Sequence, residues 1–239
     1  MTKRWIQCGH AVIGHSPFVL HADCVLVVEN GVIQEVLKTS TVQRNPDQDW
    51  VDWSHCLVIP GFVNVHTHTT LVMVRGEAED MGFAPAYTAG VPHGHDVSED
   101  EAIALSRLGA YECLRFGSTT INDSYVHAHA VMPAMAELGM RVVGSSRIHD
   151  VDFSQVHLGQ WHYDRAIGHQ TMDQAVRLIE QVRQDPSGRL GVTINPHAPD
   201  TCSKDLLQGV ARLQAETGYP VCTHLSQSEA ENKTVLARD

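Results

Sequence analysis

The chain has 239 residues, 43% of them hydrophobic and 19% charged, as expected for a globular protein with a sizeable core. Its formal charge of −11 and its lack of a basic stripe disfavour nucleic acid as a partner. It has no apolar run of about 18 residues, so no membrane segment is expected. The six cysteines are scattered without CxxC spacing, which favours reduced thiols in a cytoplasmic protein.

The first 56 residues carry an all-β pattern. Asp23–Val28 and Val32–Leu37 are apolar runs of strand length, and Glu29-Asn-Gly31 lies between them. Asn-Gly between two such runs is a strong signal for a β-hairpin.

A different pattern begins with the apolar run Leu57–Val65, which predicts one strand and ends in His66-Thr-His68. Residues i and i+2 of an extended chain point to the same side, so the two imidazoles can converge on one point. Neutral imidazole is the commonest protein ligand for metals. The pair alone is weak evidence, because the chain has 16 histidines and chance pairs arise.

From this run onwards, strand and helix patterns alternate, which is typical of a parallel sheet. A capping box, Ser98-Glu-Asp-Glu101, opens the first helix. The predicted helices are 98–116, 129–138, 171–184 and 203–217, and the further predicted strands are 118–123, 140–146, 189–195 and 219–224. The connections at 76–97 and 147–170 are long for such units and predict loops beside a site.

This alternation gives five β/α units, whereas a closed (β/α)8 barrel needs eight strands. We therefore expect an incomplete barrel and a chain truncated at its C-terminal end. Three polar motifs follow predicted strands, where such a barrel places catalytic groups. They are His66-x-His68, Asn195-Pro-His197-Ala-Pro-Asp-Thr-Cys-Ser203 and Thr223-His224-Leu-Ser-Gln227.

With these motifs, the chain resembles the amidohydrolase superfamily. The signature Pro60-Gly-Phe-Val-Asn-Val-His66-Thr-His68, followed by His197-Ala-Pro-Asp-Thr-Cys-Ser203, is highly specific. The resemblance runs from about Asp23 to the last residue and is strongest to the aminohydrolase and chlorohydrolase branch. That branch includes guanine, cytosine and S-adenosylhomocysteine deaminases and the triazine hydrolases.

The resemblance implies an α/β fold with a TIM-type (β/α)8 barrel, preceded by a small β-sandwich segment. Residues 1–57 would be the N-terminal part of the β-sandwich domain, and residues 58–239 the incomplete barrel. His66, His68 and His224 would bind one divalent metal ion, zinc or iron, and His197 would hydrogen-bond the substrate or the hydroxide. A fourth ligand, an aspartate, and a further substrate-binding histidine would lie beyond residue 239.

The implied chemistry is hydrolysis of a nitrogen heterocycle, of the purine, pterin, pyrimidine or triazine type. Three neutral imidazoles on a divalent ion leave a position for water, whose pKa falls to near 7. The resulting hydroxide attacks a ring carbon, and an acid–base group must carry its proton to the leaving ammonia. The expected partner is therefore a small-molecule heterocycle, and a homo-oligomer is compatible with this reading.

Gln227 departs from the family pattern, which has a proton-carrying glutamate three residues after the third histidine. An amide can orient water or substrate but does not take up a proton near neutral pH. Three alternatives follow: another group carries the proton, the leaving group is chloride or another that needs no proton, or the protein is a silent metal-binding or scaffold subunit.

Plainer interpretations remain for several polar residues. His197 can cap a loop, and His224 can be a buried strand-end histidine. Asp123 is expected to hydrogen-bond a neighbouring loop, and Cys202 to be a packed thiol, because no pairing base is evident. The remaining histidines of interest are interpreted as solvated loop or helix residues: His93, His95, His127, His129, His149, His157, His162 and His169.

Overall fold

The computed structural model describes residues 3–14, 16–77 and 96–238. The chain divides into two compact units, Met1–Gly61 and Phe62–Asp239. His93, His95 and most of the predicted loop at 76–97 lie outside the described residues.

The first unit contains a four-stranded sheet. Its strands are β1 Lys3–Ile13, β2 Val19–Glu29, β3 Val32–Lys38 and β4 Asp49–Val58, in the order β3-β2-β1-β4. The predicted hairpin is confirmed, since β2 and β3 pair antiparallel across Asn30 and Gly31. Both turn residues have positive φ, 51° and 79°, as a tight two-residue turn with the twist of the strands requires.

The second unit has an α/β fold with a parallel sheet, as predicted. Its strands are β5 Phe62–Thr67, β6 Ser118–Tyr125, β7 Arg141–Ile148, β8 Leu190–Val192 and β9 Asn195–Pro196. The order is β5-β6-β7-β8, and β9 pairs with β7. The helices are α1 Glu99–Arg115, α2 Ala128–Ala136, α3 Arg165–Arg183, α4 Lys204–Thr217 and α5 Glu229–Arg238. Since these five strands pair with one another in parallel, their carboxyl ends share one edge, where ligands bind in such folds.

An apolar core holds the helices of this unit to the sheet. Ile121 and Val142 from the strands pack with Met132 and Met135 of α2 and Leu178 of α3, all buried. Burying side chains of this size stabilises a fold by about 1.5–3 kcal/mol each. In the part of the chain that the structure describes, we find no helix long and apolar enough for a bilayer.

The apolar run Leu57–Val65 is not a single strand, and that prediction was wrong. Strand β4 ends at Val58 and β5 begins at Phe62, and the two strands belong to different sheets. Pro60 lies between them, and proline has no backbone N–H to donate to a sheet.

The strands predicted at 189–195 and 219–224 are also less regular than expected. The first is divided into β8 and β9, because Ile194 between them changes partner: its N–H donates to Pro220 and its carbonyl accepts from Cys222, both at 2.9 Å. The second is reduced to a single parallel bridge between Ile194 and Val221.

Helix α3 begins six residues before its predicted start at Thr171. The carboxylate of Asp164 accepts from the backbone N–H of Ala166 at 2.7 Å and caps the helix. Thr171 is buried within the helix, and its hydroxyl donates to the carbonyl of His149 at 2.7 Å. The predicted loop 147–170 also contains the 3-10 helix Phe153–Leu158.

Candidate metal centre

Three imidazoles meet at the carboxyl edge of the parallel sheet. His66 lies in β5, His68 directly follows it, and His224 follows the segment that bridges to Ile194. One ligand atom from each ring lies within 4.8 Å of the other two. The structure therefore brings together the three histidines predicted as ligands.

Strand β6 fixes the orientation of His68. Its Nδ1 donates to the carbonyl oxygen of Ser124 at 2.6 Å. The next residue, Thr69, donates its N–H to the carboxylate of Asp123 at 2.6 Å. Two consecutive residues of β6 therefore hold the chain where it leaves β5.

The loop after β9 fixes His224 in the same way. The backbone N–H of His224 donates to the carbonyl of His197 at 3.0 Å, and its Nδ1 donates to the same oxygen at 2.9 Å. A carbonyl oxygen can only accept, so this imidazole carries its proton on Nδ1.

The protonation pattern leaves two lone pairs facing each other. His68 and His224 both carry hydrogen on Nδ1, so neither Nε2 can donate, yet the two Nε2 atoms are 3.3 Å apart. A cation between them turns this repulsion into coordination. Two nitrogens on one tetrahedral zinc ion, each about 2.0–2.1 Å from it, are about 3.3 Å apart, so the donor set fits such an ion.

Burial keeps these rings neutral. It lowers the pKa of His68 from 6.5 to about 4, with smaller contributions from His66, His224 and Arg147. Burial also lowers the pKa of His224. Because metal ligands must be deprotonated, both Nε2 atoms are available at neutral pH.

His197 lies next to the three ligand candidates, with its ring centroid 5.0 Å from that of His224. It is 6% exposed, and burial, followed by the charge of Arg147, lowers its pKa well below 6.5. Thr201 donates its hydroxyl hydrogen to Ala198 at 3.2 Å, so Nδ1 of His197 donates to Thr201 at 2.8 Å. His197 therefore holds its own loop and presents an acceptor at Nε2.

Gln227 lies in the turn after His224 and is exposed. Its backbone N–H donates to the carboxylate of Glu231 at 2.7 Å. The catalytic role predicted for its side chain remains a prediction.

Two structural interpretations are confirmed. Asp123 is fully buried and hydrogen-bonds the loop at Thr69, while burial raises its pKa from 3.8 to about 6. Cys202 is a packed thiol whose Sγ donates to the carbonyl of Ile148 at 3.3 Å, and burial raises its pKa to about 12.

Sequence reasoning missed two residues at the end of β7. Arg147 is 6% exposed and stacks over the rings of Phe153 and Tyr125, at 4.5 and 5.3 Å. His149 was expected to be solvated, but burial and the charge of Arg147 lower its pKa to about 3. Both line a cavity of about 550 Å³. Their position at the carboxyl end of a parallel strand is the signal that could have found them.

Glu231 and Asp200 were also missed. Both are charged residues with almost no exposed surface. Burial, together with the nearby carboxylate of Glu231, raises the pKa of Asp200 to about 6.

Residues 57–238 match the Amidohydrolase family. The chain is 26% identical over 215 residues to a 5'-deoxyadenosine deaminase of Methanococcus vannielii, which covers 89% of this chain and 48% of that protein. It is 29% identical over 237 residues to a 5-methylthioadenosine/S-adenosylhomocysteine deaminase of Thermococcus kodakarensis, covering 98% of this chain and 51% of that protein. The chain thus spans about half the length of the curated relatives it matches.

Solved structures share the fold. An adenosine deaminase from Xanthomonas campestris with bound zinc superposes with a TM-score of 0.80 at 24% identity, over 99% of this chain and 52% of that one. An atrazine chlorohydrolase from Arthrobacter aurescens complexed with zinc superposes with a TM-score of 0.74 at 15% identity, over 98% and 58%.

Proposed function

The chain belongs to the amidohydrolase family, and from that membership we propose that it carries the metal-binding part of a heterocycle hydrolase. The reaction would release ammonia from an amino-substituted ring of the purine, pterin, pyrimidine or triazine type. The observation that carries the proposal is the pair of facing, unprotonated Nε2 atoms of His68 and His224, 3.3 Å apart. Relatives named as deaminases of adenosine-type nucleosides support this substrate class.

The ligands in this proposal are His66, His68 and His224, and the ion is divalent, with zinc preferred over iron. Imidazole suits both metals. The bound zinc in two structures of the same fold supports zinc. When bound, the ion would supply an activated water molecule as the nucleophile.

His197 would bind the substrate. Its Nδ1–H is committed to Thr201, so Nε2 can accept a hydrogen bond from a ring N–H or an amino group. Because its pKa is low, the ring stays neutral and keeps this acceptor throughout the physiological range.

Gln227 would orient water or substrate through its amide. It cannot carry the proton that a leaving amine needs, so deamination requires another group to carry that proton. A second candidate reaction is displacement of chloride, which needs no protonation. The fold shared with an atrazine chlorohydrolase is compatible with this alternative. A silent, metal-binding subunit is the third candidate.

The architecture that we infer around this site follows from the family. Residues 58–239 would form part of a (β/α)8 barrel, and residues 1–57 the N-terminal part of a β-sandwich domain. A cytoplasmic location is supported by six free cysteines. The proposed partner is a small heterocycle, and assembly into a homo-oligomer is compatible with this architecture.

A substrate panel tests the proposal. The protein would be loaded with zinc and assayed for ammonia with 5'-deoxyadenosine, 5-methylthioadenosine and adenosine, and for chloride with atrazine. Ammonia from a nucleoside supports deamination, and chloride from atrazine supports the second candidate. A protein that binds zinc and releases neither product from the panel would contradict both.

A further inference from the structure

The carboxylate of Glu231 is anchored inside the protein, behind the turn that follows His224. The residue is 2% exposed. Its Oε1 accepts from the backbone N–H of Ser226 at 2.9 Å, and its Oε2 accepts from that of Gln227 at 2.7 Å. Hydrogen bonds to an ionised carboxylate are about twice as strong as those between neutral groups.

The turn needs this support because Ser226 has a left-handed backbone, with φ of 55°. A non-glycine residue in that region is under strain and persists where its surroundings hold it. The two N–H groups bound by Glu231 belong to Ser226 itself and to the residue after it. The carboxylate therefore holds the backbone on both sides of the strained residue Ser226, through the N–H groups of Ser226 and Gln227.

The same residue links the turn to helix α5. The backbone N–H of Glu231 donates to the hydroxyl of Ser228 at 3.0 Å, which is half of a capping box with the spacing Ser-x-x-Glu. In an ordinary capping box the glutamate returns to the N–H of the serine. Here it reaches one and two residues further back, so that the start of α5 and the turn form one unit.

We propose that Glu231 is a positioning residue, whose carboxylate fixes the turn 225–228 and thereby sets the position of the neighbouring His224 at the candidate metal centre and of Gln227 within the turn. The expected effect of Glu231 on catalysis rests on the proposed function. The fixing of the turn is a separate, measurable property.

The test replaces the carboxylate by its amide, Glu231→Gln, with Glu229→Gln as the matched control. Glu229 is in the same turn of α5, but it is exposed and its contact is an ion pair with Lys233 at 2.7 Å. Both variants remove one negative charge from the same helix turn. The amide in Glu231→Gln keeps one acceptor oxygen and turns an NH2 group towards the second N–H, so only one bond to the turn can survive.

Hydrogen–deuterium exchange of residues 223–231 decides whether Glu231 fixes the turn. We expect Glu231→Gln to accelerate exchange there by at least about tenfold while α1 and α3 are unchanged, and Glu229→Gln to match the wild type. Equal exchange in the two variants would overturn the inference.

If Glu231→Gln does not fold, Ser226→Gly provides the second test, because glycine adopts this φ freely. In the double variant with Glu231→Gln it should restore folding, and failure to do so would count against the inference.

Catalysis is measured separately on the panel substrate that the wild-type protein hydrolyses. Because misplacing a catalytic group by about 1 Å can cost up to 100-fold, we expect kcat to fall by about 10- to 100-fold in Glu231→Gln, with KM changed less than about threefold. A variant that loses thermal stability but keeps kcat per folded molecule would show a merely structural role. If the wild type hydrolyses nothing on the panel, the proposed function fails while the exchange result still decides the fixing of the turn.

Discussion

At the level of single residues, the histidines of the candidate centre are held through the nitrogen that faces away from it. His68 and His224 each donate Nδ1–H to a carbonyl oxygen of a neighbouring chain segment. This bond selects the tautomer and leaves Nε2 unprotonated and able to bind a metal ion, as outer hydrogen bonds of metal-bound histidines commonly do. A change at these residues should therefore show first in metal binding.

We predict that His224→Ala lowers the zinc content of the purified protein from about one ion per chain to well below half, because two imidazoles hold zinc less tightly than three. Elemental analysis after dialysis measures this. The control is His129→Ala, an exposed histidine that contacts Glu99 at 2.8 Å. Full zinc content in His224→Ala would show that this histidine is not a ligand.

The second prediction concerns Gln227. The variant Gln227→Glu introduces a carboxylate where the family has one, and a positioned general acid–base group typically speeds a reaction by ~10²–10⁴-fold. Since His66, His68, His197 and His224 are all retained, we expect a site that works without this carboxylate, so the variant should be neutral or slower. Rates on amino- and chloro-substituted heterocycles decide, and a large gain restricted to amino substrates would show the expectation to be wrong.

The third prediction concerns pH and Asp123, whose pKa burial raises from 3.8 to about 6, against the opposing hydrogen bonds from Thr69. Between these two values the folded state binds more protons than the unfolded state, so the free energy of unfolding falls as pH rises. The full penalty, on the order of 2–3 kcal/mol, is present above about pH 6. The variant Asp123→Asn keeps an oxygen that can accept from the N–H of Thr69, but its side chain no longer titrates.

Urea unfolding of both proteins, free of metal, at about pH 4.5 and about pH 7.5 tests this. The wild type should lose more stability than the variant over this range. Other groups such as Asp200 titrate in both proteins and cancel in the comparison. Parallel pH profiles would contradict the prediction.

At the level of secondary-structure elements, helix caps and turns that depend on residues close together in the sequence were predictable. The capping box at Ser98 forms as expected: the backbone N–H of Ser98 donates to Glu101 at 2.8 Å, and the N–H of Glu101 donates to Ser98 at 3.4 Å. The Asn30-Gly31 turn and the strand–helix alternation are local patterns too. Both are set by residues a few positions apart.

What was not predictable depends on contacts between distant residues. Thr171 was predicted as a helix start, but its hydroxyl donates to the carbonyl of His149, 22 residues away, and the helix begins at Arg165 after the cap Asp164. The capping-box spacing between Ser228 and Glu231 is visible in the sequence. The hydrogen bond from Ser226 to Glu231 was not predictable, because it depends on the left-handed backbone of Ser226, which no sequence pattern indicates. The convergence of His66 and His68 followed from strand geometry, whereas their meeting with His224 came from the family resemblance.

Helix α1 packs unusually close to the 3-10 helix Thr69–Val74 that follows His68. A Cβ on Gly109 would lie 2.7 Å from the carbonyl oxygen of Thr69 and 2.9 Å from its Cβ. Backbone atoms cannot move aside as the end of a flexible side chain can. We therefore predict that Gly109→Ala lowers the free energy of unfolding by about 1–3 kcal/mol. Because Thr69 follows His68 directly, the substitution should also displace His68 and weaken zinc binding.

The matched control is Gly209→Ala in helix α4. There the nearest atom is the flexible Cε of Met172 at 3.4 Å, so alanine should be neutral or stabilising by up to about 1 kcal/mol. Chemical unfolding and zinc titration of both variants measure the difference. Equal effects of the two substitutions would contradict the close packing of α1.

At the level of the whole molecule, the second unit leaves apolar side chains exposed on β5 and directly after His224. Val63 and Val65 of β5 are 63% and 71% exposed, and Leu225 is 70% exposed. Among the described residues β6 is the only sheet neighbour of β5, so its other edge presents free backbone groups. Such an edge is a template for association with another chain.

We therefore predict that the 239-residue chain, expressed by itself, associates in solution. Size-exclusion chromatography with light scattering measures its mass. Val65→Lys should shift it towards the monomer, because a charged side chain on an edge strand opposes pairing, whereas Leu158→Lys, at a residue 59% exposed in the 3-10 helix of residues 153–158, should not. A wild-type chain that stays monomeric at high concentration would contradict this.

The distance along the chain between the facing imidazoles has a consequence for maturation. His68 and His224 are 156 residues apart, and each is oriented by a carbonyl from yet another segment. During synthesis His68 leaves the ribosome long before His224 has been made. The two imidazoles can therefore face each other only after the strands and helices between them have packed. Under the proposed function, ion uptake would be a late step of assembly, and the bound metal would shift the equilibrium towards the folded state by mass action.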